Sequence, residues 1–302
     1  MRHLPNPLAV RPYFIALPSS YAKLHFDSRS KMLRATACKI PAGRGKCAQL
    51  STYSVFANKI IAQIAENDAS LTLLDERLTI LGDAGAAEIA EALKQNTALT
   101  TLRLRGVDIG SAGVEALGRV LADNNKTVTS LDLRGNQARD RGSIAIAEAL
   151  ASRGTPMREL DLWSNQIGDK GADAFGAAMR HGLEVEVLNL GDNSICDVTQ
   201  LAKGVAVCRR LRSLNLRQNY ISDRSAQLLF EALETSPTLR NLNLRTNSIG
   251  SDACTRIMQA AAARPGVTVD LRANYPERAF NPDPVRGHVS SPTASSLAEG
   301  DR

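Results

Sequence analysis

Two leucines flanking a single residue recur through the middle of the chain. They are Leu102-Arg103-Leu104, Leu131-Asp132-Leu133, Leu160-Asp161-Leu162, Leu188-Asn189-Leu190, Leu214-Asn215-Leu216 and Leu242-Asn243-Leu244. The interval from one first leucine to the next is nearly constant and is shortest between Leu188 and Leu214. Alternation with period two places both leucines of a pair on one side of a short strand. An asparagine follows at a fixed offset: Asn136, Asn165, Asn193, Asn219 and Asn247. There its amide can bond backbone groups that a turn leaves unpaired, and stacked copies would form a ladder. Val107 occupies that place in one copy, which predicts an altered turn. An earlier copy starts at Leu71 and Leu74 but has Glu76 in a leucine position, leaving its register open. A last half-copy reads Val269-Asp270-Leu271, with Asn274.

The second half of each copy predicts a helix. Asp83, Ser111, Asp140, Asp169, Asp197, Asp223 and Ser251 stand four residues past the asparagine position. All are good N-cap types, expected to accept hydrogen bonds from the first turn of their own helix. Small apolar residues follow, such as Ala145, Ala147, Ala149 and Leu150.

The phrase L-x-x-L-x-L-x-x-N-x-L with a period of roughly 28 resembles the leucine-rich repeats of the ribonuclease-inhibitor class, which occur in NOD-like receptors and some bacterial effectors. The resemblance covers about two thirds of the chain. It implies an α/β fold: a right-handed horseshoe solenoid with a concave parallel sheet and convex helices. It also implies a monomeric module that binds another protein.

The ends differ from the middle. Residues 1–65 carry ten Lys or Arg against one acid, Asp27, so residues 66–302 sum to −3 out of a net +6. Residues 1–51, interrupted by Pro5, Pro7, Pro12, Pro18 and Pro41, are expected to form a basic arm. That arm is either disordered or a targeting or secretion segment. Residues 52–70 predict an N-terminal cap helix, with Phe56, Ile60, Ile61 and Ile64 on one side. The solenoid is expected over 71–275 and a disordered tail over 276–302. No apolar run reaches the ~18 residues needed to cross a bilayer. Five cysteines cannot all pair within one chain, which favours a reducing, cytoplasmic setting.

The sequence points away from catalysis. Of four histidines only His181 lies in the repeats, at an expected turn. Asp140 and Asp169 are read as caps, and Cys208 and Cys254 as small buried residues. No metal-ligand spacing and no G-K-[ST] loop appears, so neither metal nor cofactor is expected. Two alternatives from the same repeat class are a regulator of a small GTPase, similar to Ran GTPase-activating proteins, and an adaptor or effector of a ubiquitin ligase.

Between the paired leucines runs a column expected to face the hollow: Arg103, Asp132, Asp161, Asn189, Asn215, Asn243 and Asp270. After the second leucine runs another: Arg105, Arg134, Trp163, Gly191, Arg217, Arg245 and Arg272. The columns hold six arginines against three aspartates, with Arg217 and Arg245 beside asparagines. Glu159 and Asp192 are available to offset part of the excess. Arginine and tryptophan are enriched at binding hot spots. Arg105, Arg134, Trp163, Arg217, Arg245 and Arg272 are therefore the candidate partner-binding residues, for a protein with an acidic segment. Trp163, the only tryptophan, is expected to stand free as the apolar anchor. One aromatic is too few for a base-stacking platform, which disfavours nucleic acid.

Overall fold

The computed structural model describes residues 22–27, 32–37, 60–77 and 81–274. The rest of the expected arm, residues 52–59 of the expected cap helix and the expected tail lie outside the described residues. Among the described residues, ten strands form one sheet in chain order. An antiparallel hairpin, β1 (Ala22–Asp27) and β2 (Met32–Ala37), joins it at one edge, with β2 parallel to β3 (Leu73–Glu76). Then β4 (Thr101–Leu104), β5 (Ser130–Asp132), β6 (Met157–Asp161), β7 (Val185–Asn189), β8 (Ser213–Asn215), β9 (Asn241–Asn243) and β10 (Thr268–Asp270) follow in parallel. Among the described residues, seven helices alternate with strands β3 to β10: α1 (Gly82–Leu93), α2 (Ser111–Asp123), α3 (Arg139–Ser152), α4 (Asp169–Arg180), α5 (Thr199–Val207), α6 (Asp223–Thr235) and α7 (Ser251–Ala262). The result is an α/β solenoid with one strand face and one helical face.

The core lies between those faces. All twelve leucines of the six regular pairs are at most 2% exposed. Each contributes about 1.5–3 kcal/mol through loss of apolar surface to water. Helix residues meet them from behind, among them Leu117, Ile146, Phe175, Leu201 and Leu229. Residues 60–65 are helical and bury Ile60 and Ile64 at the N-terminal end. The parallel register resolves the irregular first copy, because Leu74 faces Leu102 and Glu76 faces Leu104. Glu76 is therefore a buried acid in a leucine position, 1% exposed.

The asparagine ladder is continuous from Asn136 to Asn274. Each amide donates to carbonyls of its own turn and of the preceding copy, while its oxygen accepts from that copy's backbone. Asn193 is representative: Nδ2 donates to Leu162, Leu190 and Gly191 at 3.0–3.1 Å, and Oδ1 accepts from Asn165 at 2.9 Å and Ile167 at 3.0 Å. The residue before the ladder position is left-handed in every copy, from Gly106 (φ 61°) through Ser164, Asp192, Gln218 and Thr246 to Ala273. Val107 does not alter this turn. Gly106 before it keeps the same φ, and Val107 is buried with its N–H on Asn136. A valine fits because its side chain replaces buried amide with buried hydrocarbon while Asn136 serves the backbone.

The expected caps act differently from the expectation. No helix shows a side-chain cap bond from its own N-cap residue. Asp83, Asp140, Asp169 and Asp223 instead cap the next copy, whereas Asp197 accepts from the N–H of Thr199, the first residue of its own helix, at 2.9 Å. Asp83 Oδ1 accepts from Gly110 and Gly113, which start α2, at 2.7 and 2.8 Å. Asp140 Oδ1 accepts from Gly168 and Gly171, which start α4, at 2.7 and 3.0 Å. Asp169 serves Cys196 and Asp197, and Asp223 serves Gly250. The stacking translation brings each first turn beside the next one, so the free N–H groups find a neighbour's carboxylate first. Glycine is needed where it comes closest, since a Cβ at Gly171 would lie 2.5 Å from Ile167 and 2.9 Å from Asp140. Asp140→Ala should cost about 1–2 kcal/mol in urea unfolding. Asp252→Ala, at an exposed carboxylate bonded only to Ser251, should cost under ~0.5 kcal/mol. Equal costs would refute capping between copies.

Candidate functional site

Pairing between strands aligns the columns residue by residue. Asp75, Arg103, Asp132, Asp161, Asn189, Asn215, Asn243 and Asp270 are successive register partners. Two residues further on each strand stand Arg77, Arg105, Arg134, Trp163, Gly191, Arg217, Arg245 and Arg272. Arg77 and Asp75 belong to the first copy, whose register the sequence left open. A further column precedes the first leucine: Thr101, Ser130, Glu159, Val187, Ser213, Asn241 and Thr268. Period-two alternation puts it on the same face, a signal the sequence reading overlooked. Along each strand it comes first, the aspartate and asparagine column second, and the arginine column third.

Asp132, Asp161 and Asp270 share one geometry. One carboxylate oxygen accepts the backbone N–H two residues ahead, as in Asp132 to Arg134 at 3.1 Å, Asp161 to Trp163 at 3.0 Å and Asp270 to Arg272 at 3.1 Å. The other faces a guanidinium. Asp132 binds Arg105, Asp161 lies 4.0 Å from Arg134 Nε, and Asp270 binds Arg272 Nη2 at 2.7 Å. Asp75 is held by both arms of Arg77 at 2.7 Å, with Arg103 at 3.6 Å. Burial pushes the Asp161 carboxyl up from its ordinary pKa, and the neighbouring Asp132 adds to this against the pull of Trp163 N–H, Asn189 and Arg134. The Arg272 side chain holds Asp270 below the usual carboxylate range.

Arg217 and Arg245 stand apart from this pattern. Asn215 and Asn243 accept the backbone N–H of Arg217 and Arg245, each at 3.0 Å, but offer no second oxygen. Both arginine Nε atoms are shielded from solvent and lack any acceptor. The two acids available to offset them are engaged elsewhere: Glu159 with Ser130 and Arg158, Asp192 with Gln218.

Trp163 is not the free anchor the sequence suggested. Its indole lies where a side chain on Gly191 would be, since a Cβ there would stand 2.3 Å from the ring. The Arg134 and Arg217 guanidinium carbons lie 5.6 and 5.7 Å from the ring centroid, within cation–π range. The indole is half-buried between neighbouring copies and fills the gap left by Gly191.

Of the other residues weighed for chemistry, His181 ends α4, Cys208 is buried and Cys254 is half-buried rather than buried. Burial pushes the Cys254 thiol up, with Asp223 adding to it, away from reactive thiolate. Among the described residues no group of three or more His, Cys, Asp or Glu is placed to hold a metal ion. No described helix is long and apolar enough to cross a membrane.

A family model, "Leucine Rich repeat", matches residues 95–118, 124–147 and 155–176. The fold is a leucine-rich-repeat solenoid. The matched segments are three successive copies of the unit, and the remaining copies share their geometry. No curated protein sequence matches the chain significantly. Among solved structures, the chain is similar to an internalin C2 from Listeria monocytogenes, with 18% identity over 70% of this chain and 83% of that one, TM-score 0.40. It is also similar to an internalin (inlF) of the same organism, with 18% identity over 68% of this chain and 56% of that one, TM-score 0.42. Human 5T4, a trophoblast glycoprotein, shows 14% identity over 84% of this chain and 92% of that one, TM-score 0.46.

Proposed function

We propose that the protein is a non-enzymatic, monomeric binding module that takes a partner protein through its strand face. Arg217 and Arg245 carry this reading. They are two adjacent cations with no carboxylate within ion-pair distance among the described residues, Asp270 acting on Arg245 only from further off, on a face where the other third-column arginines face one. Trp163 adds an ordered apolar surface beside them, and Arg134 sits across the indole. Arg105 and Arg272 belong to the same surface but are neutralised internally, so they contribute shape more than charge. The excess of donors favours a partner with an acidic segment. The repeat length of roughly 28 and the full helix in most copies support the ribonuclease-inhibitor type.

The test is affinity capture with full-length protein in three forms: wild type, Arg217→Glu with Arg245→Glu, and Arg119→Glu with Arg141→Glu on the helical face. A partner retained by the wild type and the helical-face variant should be lost from the strand-face variant. Its association should be slower at low salt, with a difference that shrinks as salt is added. If the helical-face variant loses the partner and the strand-face variant keeps it, the strand face is not the binding surface.

A further inference from the structure

The strand face carries its own template for what Arg217 and Arg245 bind. In β5, β6 and β10 the second-column residue is aspartate. One oxygen locks onto the backbone N–H two residues ahead, and the other meets an arginine of the third column. In β8 and β9 asparagine makes the same backbone bond through Oδ1. That bond fixes the amide orientation, so Nδ2 occupies the place of the second carboxylate oxygen. A donor therefore stands where the face elsewhere supplies an acceptor. Arg217 and Arg245 carry Nε groups with no acceptor, whereas Nε of Arg105 and Arg272 donates to an aspartate. Four side chains on two neighbouring strands, Asn215, Arg217, Asn243 and Arg245, thus present N–H groups and no acceptor that is not already used.

The geometry points to a pair of carboxylates from an acidic peptide of the partner as the missing acceptors, one for each guanidinium. The strands lie ~4.8 Å apart, close to the ~5–6 Å between acidic side chains three or four residues apart on a helix. Carboxylate is the committed chemistry because the same face holds its other arginines with carboxylates. A planar fork accepts two parallel bonds from that group. This inference rests on the strand-face reading above and narrows it to two strands and one functional group.

Trp163, the only tryptophan in the chain, stands 5.7 Å from the Arg217 guanidinium and reports on the site by its emission. Full-length protein is titrated with a decaglutamate peptide, a decaglutamine peptide and inorganic phosphate, with calorimetry in parallel. Decaglutamate should bind saturably, decaglutamine should not, and phosphate should bind at least about tenfold more weakly. The decisive variant is Asn215→Asp with Asn243→Asp. It keeps both arginines and restores the internal pairing seen at Asp270, a residue type this column already tolerates. Its affinity for decaglutamate should fall at least about tenfold with an unchanged or higher Tm. Arg217→Gln with Arg245→Gln should lose binding equally. The proposal is overturned if the wild type ignores decaglutamate, if phosphate or decaglutamine binds as well, or if the aspartate variant binds like the wild type. Should decaglutamate fail while the charge-reversal variant still loses its captured partner, this inference falls and the strand-face reading stands. If both fail, the strand face is not the site.

Discussion

Asn193→Ala should destabilise the protein by about 4 kcal/mol, far more than alanine at Asn189 four residues earlier. Asn193 is 7% exposed and holds three carbonyls and two N–H groups from two copies. Alanine removes every one of these bonds and admits no replacement partner. Leaving a buried polar group unsatisfied costs about 1–3 kcal/mol, and partial relaxation of the turn keeps the total below the full sum. Asn189 sits on the open face, where its oxygen accepts one backbone N–H, from Gly191 at 3.1 Å, its side chain also bonds Asp161, and water can replace both partners. Its alanine variant should lose under ~1 kcal/mol. Urea unfolding of both variants, followed by circular dichroism, separates the cases. A loss below ~1 kcal/mol for Asn193→Ala would mean the ladder does not hold the stack together. Because each copy of a solenoid contacts only its neighbours, the damage should centre on the copies carrying Asn165 and Asn193.

The ladder was legible in the sequence because both of its causes are local. Period two fixes which residues face the core, and the longer repeat fixes which residues become neighbours. Together they place Arg217 and Arg245 beside asparagines before any coordinate is known. Where the sequence reading failed, the partner lay one copy away. Asp83 looks like the cap of its own helix because capping is usually judged within one helix, yet the N–H groups it serves belong to Gly110 and Gly113 in the next copy. Trp163 looks exposed because its own strand offers nothing to cover it. The cover is a missing side chain, Gly191, on the next strand.

A second polar ladder went unread although its period was visible. On the helix-to-strand side, Asn96 Nδ2 donates to Ile64 at 2.8 Å, and Asn125 Nδ2 donates to Leu93 at 2.9 Å and Asn96 at 2.8 Å. In the next copy that position holds Gly154, and the neighbouring Arg153 donates to a different carbonyl, Val128 at 2.7 Å, while burial pushes its guanidinium pKa down. Asn96 and Asn125 are separated by the same interval as Leu102 and Leu131. Gly154, with no side chain to continue these bonds, ends the column and hides it.

Gly176→Ala should cost about 3 kcal/mol, against the usual direction of such a change. Within a helix, glycine to alanine normally gains about 1 kcal/mol, and Gly176 lies inside α4. A Cβ there would sit 2.0 Å from the Gln200 carbonyl oxygen and 2.6 Å from Leu201 Cα, while one at Gly204 would meet the Gly176 oxygen at 2.4 Å. These are backbone atoms, so no side-chain rotation relieves the overlap and the two helices must separate. The cause is the shortest copy of the repeat, which runs from Leu188 to Leu214. Its shortened helix, α5, packs directly on α4. Overpacking costs up to ~3 kcal/mol and more where backbone must move, which outweighs the propensity gain. Gly118→Ala is the comparison, because its nearest contacts are at 3.3 Å and its effect should be near neutral. The displacement should also reach the strand face, since β6 and β7 connect through α4 and carry Trp163 and Gly191 just past their ends. A shifted Trp163 emission in folded Gly176→Ala protein would show that coupling. A melting temperature at or above wild type would show instead that the helices separate without cost and that glycine is not required there.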